Sequence, residues 1–247
     1  MAYMKQNLLR YFLVVLALLA HKALFAQAYV ELFVSPSFNY RMAPSLDSTA
    51  FKDAWRLSWS TGFNVAFDVN RDARLITGFT LSNMGYTGVK EDMQFLDSLH
   101  PNIGRIEDLS QTSLSKDAFF YHKFSYLQIP LLLDYNIGSK YKQNEYRIGI
   151  VSGFSANVLL QHRTDIFLKG FSVAGDNEHT LEPSDFQLSE FNVHFHAGAK
   201  FGLNLQNGFW LQAQPSFQIP FASSGSFEGR SLRLTQVNLQ VGICYPF

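Results

Sequence analysis

The chain has 247 residues, with 20 Lys and Arg against 20 Asp and Glu and a single cysteine. A formal charge of zero excludes a polyanion-binding protein of the nucleic-acid type, and one cysteine excludes an intrachain disulfide framework. The mean hydropathy of −0.03 is mild enough for a soluble protein, yet it also suits a barrel in which only alternate residues meet lipid.

Residues 1–28 read as an export signal ahead of one domain, 29–247. Lys5 and Arg10 supply a basic start, Tyr11 to Ala20 an apolar stretch, and Ala26-Gln27-Ala28 a small-x-small cleavage site. The apolar stretch is shorter than the roughly 20 residues a spanning helix needs, and His21 and Lys22 interrupt it. Cleavage after Ala28 fits best, with Ala26 as the alternative. Loss of Lys5, Arg10 and Lys22 and of no acid would leave a net charge of −3. Cys244 lies far from the signal and cannot serve as a lipoprotein acceptor.

Alternation then predicts eight strands, near Tyr29–Tyr40, Trp55–Val69, Ala73–Tyr86, Phe120–Ile137, Glu145–Leu160, Phe191–Leu205, Phe209–Phe221 and Leu234–Phe247. The second is clearest: Trp55, Leu57, Trp59, Phe63, Val65 and Phe67 alternate with Arg56, Ser58, Ser60, Gly62, Asn64 and Asp68. It exceeds the average strand of about 5–6 residues and suits a tilted membrane strand, which needs about 9–11.

The connections alternate in length. Asn70-Arg71-Asp72, Gly138–Asn144 and Gln206-Asn207-Gly208 are short and turn-like. Arg41–Ala54, Gly88–Phe119, Gln161–Glu190 and Ala222–Arg233 are long. This predicts a single closed antiparallel transmembrane β-barrel, all-β, with short periplasmic turns, long extracellular loops and both termini periplasmic. A lipocalin-like soluble barrel has the same period with its apolar face turned inward. Small and polar groups on one face (Gly62, Gly78, Gly149, Gly153, Gly198, Gly202, Gly242) and bulky rows such as Phe191, Val193, Phe195, Phe201 and Leu203 on the other favour the membrane form.

Tyr126–Tyr135, YLQIPLLLDY, closely resembles a strand of the PorT-like outer-membrane β-barrel family of Gram-negative bacteria. Arg74–Gly85 (RLITGFTLSNMG), Gly149–Leu160 (GIVSGFSANVLL) and the C-terminal VGICYPF resemble it more loosely, so that the resemblance spans most of the mature chain. It implies an outer-membrane barrel, and its naming member implies an accessory role in protein secretion or envelope assembly through the type IX pathway. Asp134 stands where relatives often carry a basic residue. The terminal Tyr245 and Phe247 resemble the signal read by the barrel-assembly machinery. Pro130 removes a ladder donor, which predicts a bulge or bend there.

Candidate chemistry is sparse. His194 and His196 share one inward face, where they are either a transition-metal pair or part of a hydrogen-bonded network, and Lys200 beside them opposes a cation. Arg74, Arg147, Lys200, Asp68 and Asp134 are inward charges expected to pair. Gln128, Gln212, Gln214, Gln218, Gln236, Asn238 and Gln240 add inward amides. Asp117, His122, Ser125, His162, Asp165 and Ser189 fall near loop–strand junctions without a catalytic spacing motif. Gly88–Phe119 mixes Glu91, Asp92, Asp97, Glu107 and Asp108 with Met93, Phe95, Leu96, Leu99 and Ile103, and either caps the mouth or meets a partner.

No catalytic, cofactor-binding or metal residue is assigned, and no cofactor is expected. The expectation is a non-enzymatic structural or interaction protein. Its partners are outer-membrane lipid, the barrel-assembly machinery during insertion, and envelope or secretion proteins through 88–119. A small-solute pore and a rim hydrolase or acyltransferase are the alternatives.

Overall fold

The computed structural model describes residues 28–42, 52–91, 98–100, 104–105, 117–137, 146–169, 178–181, 187–205, 208–227 and 230–246. Residues 1–27 of the expected signal segment and Phe247 lie outside them, as do 92–97, 101–103 and 106–116 of the long connection and the turn 138–144. Eight long strands form the wall: β1 (Ala28–Arg41), β2 (Arg56–Asp68), β3 (Ala73–Lys90), β4 (Asp117–Asn136), β5 (Tyr146–Lys169), β6 (Phe191–Leu205), β7 (Phe209–Pro220) and β8 (Leu234–Pro246). Each pairs antiparallel with its sequence neighbour, and β8 returns to β1 through pairs such as Tyr29↔Pro246 and Phe38↔Val237. The ladder is closed, so no edge is left with open backbone donors.

Period-two alternation decides which side chains enter the bore. On β2, Ser58, Ser60 and Asn64 are buried, while Leu57, Trp59 and Phe63 are exposed. The same holds on β4, where Gln128 and Asp134 are buried between exposed Ile129, Leu131, Leu133 and Tyr135. Exposed large apolar residues run around all eight strands, from Leu32 on β1 to Ile243 on β8. A water-soluble protein rarely shows more than a few hundred Å² of contiguous apolar surface. Here the outer wall is apolar over most of its height and most polar groups are inside, the inverse of a lipocalin. This is the build of a barrel that spans a bilayer.

The short turns are made by local chemistry. Asn70 Oδ1 accepts from the backbone N–H of Asp72 (2.9 Å) and Ala73 (2.8 Å), an Asx turn joining β2 to β3. Gly208, at φ 85°, supplies the left-handed residue ahead of β7. Inside the wall, a Cβ at Gly78 would lie 2.1 Å from Phe63 O, and one at Gly62 2.3 Å from Phe79 O. These two glycines let β2 and β3 approach closely.

Two expectations are corrected. Pro130 causes no bulge: the β3–β4 ladder skips Gly78 and Phe79 opposite Ile129 and Pro130, then resumes in the same register. Pro36 and Pro215 sit in equivalent two-residue gaps of the β1–β8 and β6–β7 ladders. Each proline removes a donor and the ladder steps over it. The register shift of the β4–β5 ladder lies instead where Ser125 pairs Gln161 and Tyr126 pairs Leu159, leaving Leu160 as an extra residue.

That bulge also corrects the expected connection Gln161–Glu190, because β5 continues through it to Lys169. Before the bulge odd-numbered residues face the bore, as Asn157 does. After it His162, Thr164 and Ile166 are buried, and Gln161 and Arg163 are exposed. β3 likewise runs past Tyr86 to Lys90, pairing with β4 as far as Ala118. The wall is therefore taller along β3–β5 than elsewhere. At the same rim Lys52–Ala54 pairs with β3, Glu178–Leu181 with β5, and a small sheet joins Gln187–Leu188, Gly225–Phe227 and Arg230–Ser231.

Candidate functional site

The bore is filled in three tiers. At the short-turn end, three acids and three bases meet. Arg74 Nε lies 2.6 Å from Asp68 Oδ1, Arg147 Nη2 3.1 Å from Asp134 Oδ2, and Lys200 Nζ 3.0 Å from Glu31 Oε2. Asn64 and Gln240 donate to the Glu31 carboxylate at 3.3 and 3.1 Å. The Arg74 guanidinium also stacks 3.9 Å over the Tyr29 ring. The inward charges expected to pair do so, with Glu31 as an additional member. Its odd position on β1, in phase with Ser35 and Ser37, carried that signal in the sequence.

The middle tier is amide and hydroxyl. Gln128 Nε2 is 3.5 Å from Gln218 Oε1, Ser216 pairs with Asn238, and His196 Nε2 is 2.7 Å from Ser155 Oγ. Gln212, Gln214 and Gln236 are buried among them. They leave a cavity of about 30 Å³, room for one or a few waters. His194 and His196 do share the inward face, but His196 turns to Ser155 and His194 packs beside Gln218. Lys200 turns away to Glu31. Among the described residues no three His, Cys, Asp or Glu side chains converge as a metal site would require.

The upper tier is aromatic and apolar. Met84, Tyr86, Phe124, Tyr126, Leu232 and Leu234 pack together, with Leu159 and Leu188 against them. Leu188 and Leu232 adjoin the small rim sheet, so that sheet carries apolar side chains over the mouth. His122 Nδ1 and Thr164 Oγ1 are 2.8 Å apart, and Thr164 Oγ1 and His162 Nε2 3.1 Å. Tyr86 stacks on His122 with centroids at 4.3 Å, Phe124 on His162 at 4.6 Å, and Arg41 over Tyr86 at 4.8 Å. Arg41 is held by Asp53 at 2.7 Å. Sequence reasoning missed Arg41, Asp53 and Thr164, because two fell in an assigned connection and the third beyond the bulge.

The structure splits the six rim candidates between two faces of the wall. His122 and His162 point inward and are 2% and 7% exposed. Ser125 bonds Asn83 at 2.8 Å and Asp165 holds Lys123 at 2.6 Å, both on the outer face. Ser189 Oγ donates to Phe191 O at 2.6 Å, and Asp117 is half-buried at the start of β4. Neither Ser125 nor Asp165 shares a face with the imidazoles, so these four residues form no nucleophile–base–acid set.

No protein-family model matches the chain and no curated protein is significantly similar to it. Solved structures similar to it include Neisserial surface protein A (11% identity, 89% of this chain and 97% of that chain, TM-score 0.41). Outer membrane protein OprG from Pseudomonas aeruginosa is similar at 8% identity, covering 90% of this chain and 96% of that one, with a TM-score of 0.41. Outer membrane protein AlkL, determined in lipid bilayers, has 10% identity, 90% coverage of both chains and a TM-score of 0.41. These are likenesses of barrel architecture, which the closed ladder establishes for this chain on its own. No role passes from them.

Proposed function

We propose that the chain is an integral outer-membrane protein with a non-catalytic structural or interaction role. In this reading the barrel is a closed platform, and its long-connection rim meets other envelope proteins. The observation that carries it is the filled bore. Ion pairs occupy one end, amides leave a cavity of about 30 Å³ in the middle, and apolar side chains pack at the other end.

Both described chain ends lie at the short-turn rim, where Tyr29 pairs Pro246. Outer-membrane barrels keep short turns periplasmic, which favours periplasmic termini here. The resemblance of YLQIPLLLDY to the PorT-like family supports a narrower reading, an accessory to protein secretion or envelope assembly, with residues 88–119 as the contact. The solute-pore alternative needs a continuous wet path, and the side chains filling these tiers among the described residues weigh against it. The hydrolase alternative needs the imidazoles and a nucleophile on one accessible face.

Two measurements test the proposal. Planar bilayers carrying the refolded barrel should show no conductance steps; reproducible steps would favour the pore. Co-purification from native envelopes should recover a secretion or assembly component. Repeated recovery of the barrel with lipid alone would count against the interaction role.

A further inference from the structure

A charged band crosses the outer face of the barrel directly above its apolar wall, on β2–β5 only. Its members are Arg56, Tyr121, Lys123, Arg163 and Asp165. Lys123 and Arg163 are register partners on β4 and β5, with side chains 47% and 56% exposed. Like charges placed directly opposite repel. Asp165 bridges both, at 2.6 Å from Lys123 Nζ and 2.5 Å from Arg163 Nε. Arg56 extends the band, with its guanidinium 5.6 Å from the Tyr121 ring centroid. Gly85 makes room for it, since a Cβ there would lie 3.0 Å from Arg56 Cδ. Among the described residues of the band, three cations thus stand against one carboxylate.

Position gives this imbalance its meaning. Below the band, past the outward Ser125–Asn83 pair, the same strands present Leu81, Ile129 and Leu160 outward. Elsewhere near this rim the outward strand residues include the aromatic Phe38, Phe191 and Phe221. The Leu160 bulge is what turns Arg163 and Asp165 outward. A lipid whose chains lie on Leu81, Ile129 and Leu160 carries its headgroup at the height of Lys123 and Arg163. Guanidinium and ammonium groups arranged around a net positive site match phosphate oxygens.

We propose that this band is a binding site for a phosphate-bearing lipid headgroup in the leaflet on the long-connection side. The site rests on the bilayer placement of the wall and goes beyond it, giving the barrel a lipid preference and a fixed height in the membrane. Each cation near a membrane surface contributes about a fivefold gain toward anionic lipid.

The test places the refolded mature barrel in phosphatidylcholine vesicles containing a minor share of phosphatidic acid, then measures the lipid retained after mild extraction. The wild type should retain phosphatidic acid above its bulk share. Lys123→Gln/Arg163→Gln should weaken that retention roughly tenfold or more, and Asp165→Asn, which removes the carboxylate that bridges the two cations, should strengthen it severalfold. Opposite shifts in two variants that both remain compact distinguish recognition from misfolding. Equal retention by all three proteins overturns the site. Displacement of the lipid by inorganic phosphate at equal concentration overturns the lipid assignment in favour of a free anion. Failure of the wild type to insert overturns the site together with the membrane reading, whereas insertion without headgroup preference overturns the site alone.

Discussion

Lys200 Nζ lies 3.0 Å from Glu31 Oε2 although β7 and β8 separate their strands in the wall. The bridge therefore crosses the bore, and it ties two arcs of the barrel that share no ladder. Both side chains are almost out of solvent, at 7% and 5%. Removing one partner of such a pair strands a buried charge, so Lys200→Met should destabilise by about 3–5 kcal/mol. Lys200→Met/Glu31→Leu should recover most of that loss, because no charge is left behind. Urea unfolding in phospholipid vesicles, followed by tryptophan fluorescence, measures both.

The extra residue at Leu160 makes a second prediction. Deleting it makes Leu159–Tyr126 and Gln161–Ser125 adjacent ladder pairs and leaves His162, Thr164 and Ile166 facing the bore and Arg163 and Asp165 facing out. The deletion should therefore keep the compact, heat-modifiable form on gel electrophoresis, whereas one further residue inserted after Leu160 would turn Arg163 and Asp165 into the bore and should abolish it. Leu160→Ala keeps the extra residue and removes only lipid-facing apolar area, so it should cost about 1–2 kcal/mol and leave the compact form intact.

Thr164 links His122 to His162 within the wall. Thr164→Val keeps the shape and removes the shared hydroxyl, and should cost about 1–3 kcal/mol in the same unfolding experiment. If the chain is a surface enzyme, lipid or ester hydrolysis should fall with Thr164→Val or His122→Ala. On the present reading there is no hydrolysis to lose, because both imidazoles are closed off from the medium.

Close approach at Gly78 sets a further test. Gly78→Val would drive a side chain against Phe63 O and Asn64 Cα. The β2–β3 contact must open to admit it, at a cost of about 1–3 kcal/mol or more. Refolding yield and the urea midpoint report the effect.

Much of this architecture was legible in the sequence. β6 matches its expected bounds, and β1, β2, β4, β7 and β8 end within a few residues of theirs, because one face of each meets apolar surroundings and the other a wet bore. Legibility failed where that rule changes. Beyond Leu160 the parity inverts, so the end of β5 looked like a connection. Past Tyr86 on β3 the wall rises beyond the apolar belt, where alternation no longer separates greasy from polar. Arg41 and Asp53 met only through that taller rim, which no local spacing announces. Pro130 was read correctly as a missing donor, but its consequence was a gap, since an unpaired pair of residues disturbs the closed ladder less than an inserted one. The pairing of Glu31 with Lys200 depends on closure of the whole wall.

The placement of the outer wall against hydrocarbon is tested most directly at Trp59, which is 57% exposed on β2 and becomes the only tryptophan after Trp55→Phe and Trp210→Phe. In vesicles of lipid brominated along the acyl chain, Trp59 fluorescence should be strongly quenched, with little effect from aqueous iodide. Trp59 indifferent to brominated chains yet quenched by iodide would place that face in water and contradict the membrane barrel.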